Sequence, residues 1–159
     1  VAMIYEGTNE IQAIDLLVRK VLPDGGSAMN ALLDSLLAEI GTSEPTGHAA
    51  RTRIASLRTM TAQIIAAAPQ DAALPFRVAD DYLRAVALVL IDGAWLRIEG
   101  CLDAQTPNAS ARWQAPAQAL RNWVLPEFDM RAAIIAAQCT PTAAPLTTAT
   151  ANHGASTIG

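Results

Sequence analysis

Residues 76–102 read FRVADDYLRAVALVLIDGAWLRIEGCL. The run contains no proline, and its apolar residues occupy much of a helical wheel instead of a single stripe. A helix of that kind is covered on several sides, so this one belongs at the centre and the other segments pack around it. Gly93 and the alanines near it let a second helix approach closely. Asp80, Asp81 and Glu99 read as a solvated face, because no nucleophile or metal-type side chain accompanies them.

Upstream, residues 48–68 form a third helix with Ile54, Leu57, Thr61, Ile64, Ile65 and Ala68 inward. Arg51, Arg53 and Arg58 make its basic, solvated side. Ahead of a loop around Pro45, Ser27 is placed to cap a helix reaching Ile40, with Met29, Leu32, Leu33, Leu36, Leu37 and Ile40 at helical spacing. The first helix is expected over residues 9–22, facing inward with Ile11, Ile14, Leu17, Val18 and Val21. Pro23 and the Gly25-Gly26 pair end it.

Downstream, residues 104–108 turn the chain into a fifth helix whose expected buried residues are Ala111, Leu120, Trp123 and Val124. Pro116 kinks it or delays its start. A last helix covers residues 127–138. Trp95, Trp113 and Trp123 are read as core fillers, and His48 and His153 lack any ligand-like spacing. From Cys139 to Gly159 the composition shifts to Thr, Ala, Pro, Ser and Gly, which buries too little to offset chain entropy. The expected fold is therefore all-α, an antiparallel helix bundle with a disordered C-terminal tail.

The bulk properties agree. A chain of 159 residues with 52% hydrophobic content supports one well-buried core, and 4% aromatic content with abundant Ala and Leu favours helix. A net charge of -4 argues against a nucleic-acid surface, which needs a positive footprint. The most apolar stretch, Ala85 to Ile91, is bounded by Arg84 and Asp92, far short of the roughly 20 residues a bilayer requires. Cys101 and Cys139 form neither a CxxC nor a metal spacing, so no metal site is expected and the thiols fit a reducing, cytoplasmic setting. No secretory leader pattern is visible.

Function is carried by another run, Ile4-Tyr5-Glu6-Gly7-Thr8-Asn9-Glu10-Ile11-Gln12. Gly7 suits a turn. Thr8 and Asn9 are good N-cap residues, with Gln12 three beyond Asn9 as a capping-box partner. So read, Glu6 sits on a turn just ahead of the first helix, near its positive end, a rigid mount for a base.

These nine residues resemble the C-terminal signature of the flavin-dependent acyl-CoA dehydrogenases, whose proton-abstracting glutamate lies in a Tyr-Glu-Gly-Thr turn. The continuation from Ile14 to Gly26, with Arg19-Lys20 and then Pro-Asp-Gly-Gly, is similar to the 3-methylmercaptopropionyl-CoA dehydrogenase-like branch. Members of that branch carry an extra helical domain at the C-terminus. The resemblance implies three parts: residues 1–26 as the end of the catalytic domain, 27–138 as the appended helical domain, and 139–159 as a tail. With Val1 rather than Met at its start and no flavin-binding sequence ahead of the run, the chain is expected to be the C-terminal piece of a longer dehydrogenase.

The resemblance also implies roles. Glu6 takes the Cα proton of an acyl-CoA thioester while a hydride passes from Cβ to FAD. Burial against substrate and flavin would raise the Glu6 pKa toward useful values. The Glu6 backbone N–H helps polarise the thioester carbonyl. Thr8 and Glu10 fall where the family contacts FAD, and Tyr5 and Gly7 where it meets the substrate. An electron-transfer flavoprotein as acceptor and a homo-oligomer are implied as partners. Two other classes of function fit parts of the sequence. One is a non-enzymatic helical module for interaction or oligomerisation. The other is a repair-associated dehydrogenase homologue, against which the acidity weighs.

Overall fold

The computed structural model describes residues 2–40, 45–102 and 107–140, with side chains at 8–40, 45–101 and 112–140. Its elements are α1 (Ala2–Ile14), α2 (Ser27–Glu39), α3 (Pro45–Ala67), α4 (Leu74–Leu102), α5 (Pro107–Ala119) and α6 (Glu127–Cys139). Two helices run on without a break into stretches of wider i→i+5 turns, α1 over Asp15–Val21 and α5 over Leu120–Val124. Among the described residues there is no strand, and the all-α expectation holds.

As the apolar run in α4 requires, that helix is central. It packs against α1, α3 and α6. It contributes Val78, Ala79, Tyr82, Ala85, Val86, Leu88 and Val89 to the buried core. Side-chain pairs fix the directions of its neighbours. Thr61 meets Tyr82 while Arg53 meets Asp92, so α3 and α4 run antiparallel. Arg77 meets Gln138 while Arg84 meets Glu127, so α4 and α6 do too. Arg51 reaches the Leu37 and Ile40 carbonyls while Gly26 lies beside Thr61 and Ile65, which sets α2 antiparallel to α3.

The wide turns alter which residues face inward. Leu22 N–H bonds the Leu17 carbonyl at 3.0 Å and Gly26 N–H bonds that of Val21 at 2.9 Å, each five residues back. A turn of more than four residues keeps a four-residue spacing in line. Ala13, Leu17 and Val21 accordingly form the buried row. Ile11, expected inward on ordinary helical spacing, is instead 67% exposed.

Helix ends follow local chemistry, though not always at the expected residue. Ser27 was expected to cap α2, but the Asp24 carboxylate accepts from Gly26 N–H and Ala28 N–H, both at 2.9 Å. Helix α3 begins three residues earlier than expected, with Pro45 as its first residue, where a missing N–H costs nothing. Asp71 caps α4 by accepting from the N–H groups of Ala73 and Leu74. In α5, Pro116 removes one rung of the ladder, and Leu125 N–H then bonds the Leu120 carbonyl five residues back. Cys139, assigned to the tail from composition, closes α6, because Thr140 N–H and its hydroxyl both donate to the Ala136 carbonyl. The rest of the expected disordered tail, 141–159, lies outside the described residues.

Several side chains expected in solvent are engaged. Arg53 donates to Asp92, Arg58 pairs with Asp34, and Arg51 donates to the carbonyls that end α2. Asp80 and Asp81 pair with Arg131, and Glu99 pairs with Arg121. The reverse correction applies to Trp123, 83% exposed instead of buried, because the wide turn Leu120–Val124 carries it outward. Trp95 is half-buried and Trp113 lies at the surface; Ala111 falls outside the described side chains.

Candidate functional site

Residues 4–12 lie wholly within α1. The expected turn at Gly7 is replaced by helix, and the physical reason is upstream. Ala2, Met3, Ile4, Tyr5 and Glu6 include good helix formers and no breaker, so the helix extends through Gly7 at a cost of about 1 kcal/mol. Asn9 then cannot act as an N-cap, a role that needs non-helical backbone. Positions 6 and 10 stand one helical turn apart. The side chains of Tyr5 and Glu6, and the surroundings of Gly7, lie outside the described residues.

Of the proposed site residues with described side chains, Thr8 and Glu10 are both exposed, as are Asn9, Ile11 and Gln12. The run therefore offers one open helix surface. At its C-terminal end Ala13 enters the core shared with α3, α4 and α6, so the exposed part is anchored on rigid structure. That is a suitable mount for a group that must be positioned, and an open one.

An open apolar cleft of about 450 Å³ lies elsewhere, lined by Ala94, Arg97, Ile98, Cys101 and Trp113. Arg97 is paired with Glu39 at 3.1 Å, and Arg112 stacks over Trp113 at 5.5 Å. Among the described residues that line it there is no acid–base pair. Among the described residues no group of three or more His, Cys, Asp or Glu is arranged to hold a metal ion.

Two charge clusters went unread in the sequence. On the α4–α6 seam, Glu127 accepts from Arg84 and from Arg131, and Arg131 also reaches Asp81 at 2.7 Å. Hydrogen bonds from Arg84 first, then Arg131, hold the Glu127 carboxyl down at about 2. The i,i+4 spacing of Glu127 and Arg131 was the available signal. Between α3 and α4, Asp92 is 4% exposed, and burial pushes its carboxyl above the usual range against the opposing pull of Arg53. Both clusters join helices: the first ties α4 to α6 and the second ties α3 to α4.

Among the described residues no helix is long and apolar enough to cross a membrane. Comparison with protein-family models, with curated proteins and with solved structures returns no match.

Proposed function

We propose that this chain is the C-terminal part of a flavin-dependent acyl-CoA dehydrogenase of the branch with an added helical domain, and that Glu6 is its proton-abstracting base. The observation that carries this reading is the contiguous run from Ile4 to Gln12, matching the family's signature in sequence. Removing the weakly acidic Cα proton of a thioester needs a carboxylate on a fixed element, its pKa raised by an apolar surrounding. Helix α1, held to the core through Ala13, supplies the element on which Glu6 stands. Supporting the reading further, Ile11 near the C-terminal end of the run is 67% exposed, an apolar residue that the bundle leaves open.

The residues present do not by themselves fit FAD. Thr8 and Glu10 stand exposed on one helix, and one exposed helix surface does not enclose a ring system. On this reading the remaining walls, and the electron-transfer flavoprotein and homo-oligomeric contacts, belong to the longer cytoplasmic parent. The chain alone is then expected neither to retain flavin nor to oxidise acyl-CoA. The test is to purify the native polypeptide that contains this chain and add acyl-CoA anaerobically. Bound flavin that bleaches supports the reading; a native polypeptide without flavin, or with flavin inert to every acyl-CoA tried, contradicts it.

A second reading has its own observation. Trp123 at 83% exposure and Met130 at 50% are large apolar groups on the outer surface, as expected of a helical module that engages another protein. It would describe residues 27–138 within the parent as readily as it describes a free-standing protein.

A further inference from the structure

We propose that α5 together with the wide turn Leu120–Val124 is a detachable strap, closed over the C-terminal half of α4 and able to open as a unit while the rest of the bundle stays folded. The motivating observation is where the buried residues lie. One contiguous core joins Ala13, Leu17 and Val21 to Met29 and Leu33, to Ile54, Leu57 and Ile64, to the α4 row, and to Phe128 and Ile135 of α6. The buried apolar residues described for the strap, Ala117 and Leu120, are not members of that core; neither is Leu125, which follows them. Among the strap's described residues, Val124 alone packs against its edge.

A comparison with α6 sharpens the point. Each of the two helices is 13 residues long. Helix α6 drives Phe128 and Ile135 into the core, at 1% and 0% exposure, and is tied to α4 by the Glu127–Arg84 and Arg131–Asp81 ion pairs. From Arg112 onward the strap shows mostly exposed side chains. Its described attachments to α4 are an edge-to-face contact of Trp113 on Trp95, with ring centroids 6.0 Å apart, and the Arg121–Glu99 ion pair. Each such contact shifts an opening equilibrium by only about three- to tenfold. The strap's own ladder is weakened by Pro116 and by the wide turn after it.

Opening would take Trp113 away from the α4 wall of the apolar cleft and bare the half-buried Trp95 beside the already exposed Ala94 and Ile98. Segments with few core contacts open at lower free energy than the core, in cooperative units. The described part of the strap, residues 112–124, fits that description. All three tryptophans of the chain lie on it or beneath it, so tryptophan emission reports its position.

The experiment is native-state hydrogen exchange by mass spectrometry on the full chain over graded, sub-denaturing urea. Peptides from residues 112–124 should share one opening with a small, measurable urea dependence, exchanging at least ~30-fold faster than peptides from residues 54–64 and 82–89. Arg121→Gln and Trp113→Ala should each speed residues 112–124 by a further factor of about 3–10 and leave residues 54–64 unchanged. Both side chains reach the surface, so neither change removes core packing. Exchange of residues 112–124 at the core's rate and urea dependence would overturn the proposal. So would graded, urea-independent fraying, variants that speed both regions equally, or variants that leave residues 112–124 unaltered.

Discussion

Arg53 of α3 and Asp92 of α4 form a two-point contact inside the bundle: Nε donates to one carboxylate oxygen at 3.0 Å, and a terminal guanidinium nitrogen lies 2.8 Å from the same oxygen as an ion pair. The Asp92 side chain is 5% exposed, so its charge depends on Arg53 for compensation. Arg53→Met should destabilise the fold by about 3 kcal/mol, the cost of leaving a buried charge unpaired. Burial raises the folded-state pKa of Asp92 above its ordinary value. Its contribution is therefore fully present below the unfolded pKa and is lost as pH rises through the higher folded value. The deficit of Arg53→Met should accordingly be largest near neutrality and shrink on acidification. Urea titrations across that range check it; a deficit that grows toward acid pH would contradict the assignment.

Glu127 has the opposite sign. Arg84 and Arg131 hold its carboxyl at about 2, so its stabilisation is present above the ordinary glutamate pKa and is lost as pH falls toward about 2. With Glu127 and Arg131 about a quarter exposed, and Arg84 more so, solvent screening limits the effect. Glu127→Gln should cost about 1 kcal/mol near neutrality and much less near pH 2, where the carboxyl is about half protonated. Chemical denaturation at the two pH values measures the difference, and an unchanged deficit at the acid end would argue against it.

The turn after α1 depends on Gly26, at φ +77°. A Cβ there would meet the Thr61 methyl at 3.1 Å and Ile65 Cδ1 at 3.2 Å, while one on Gly25, at φ +63°, meets nothing within 4 Å. Both Ala substitutions carry a left-handed backbone penalty of about 1 kcal/mol. Gly26→Ala should cost roughly another 1 kcal/mol because side chains of α3 must give way. Thermal or urea unfolding of the pair of variants separates the two terms; equal losses would show that α3 yields freely.

Asp24 explains why that turn is stable as well as tight. Asp24→Ala removes acceptors for the Gly26 and Ala28 N–H groups and should cost about 1 kcal/mol. Ser27→Ala should cost little, since the side-chain cap at the start of α2 comes from Asp24 and not from the Ser27 hydroxyl. The comparison is a direct one in urea midpoint.

The helices and their centre were legible because α4 has an apolar run that only a buried helix accommodates, and because Pro23, Gly25-Gly26 and Pro126 mark breaks. The inward row of α1 was misread at Ile11 because an ordinary helical wheel assumes i→i+4 bonds, whereas the chain takes i→i+5 bonds from Asp15 onward. Pairs such as Arg53–Asp92, 39 residues apart, have no local signature. Asp24 was overlooked because Pro-Asp-Gly-Gly reads first as a stop, although the same aspartate starts the next helix. In the candidate site, the run from Ile4 to Gln12 was legible as a motif. Its conformation was not, because Thr8 and Asn9 cap a helix only where the residues before them leave it, and Ala2 to Glu6 do not.

On the proposed function, Glu6 in a native, flavin-binding polypeptide that contains this chain offers the most direct test. Glu6→Gln preserves shape and removes proton affinity, so flavin should stay bound while reduction by saturating acyl-CoA slows by on the order of 10²–10⁴-fold. Glu10→Gln, one helical turn away, should chiefly weaken flavin retention. Rapid-mixing measurement of flavin bleaching in the parent and the two variants distinguishes them. Collapse of bleaching in Glu6→Gln alone, with flavin still bound, is the expected result; bleaching at the parental rate in Glu6→Gln would place the base elsewhere and contradict the proposed function of this helix.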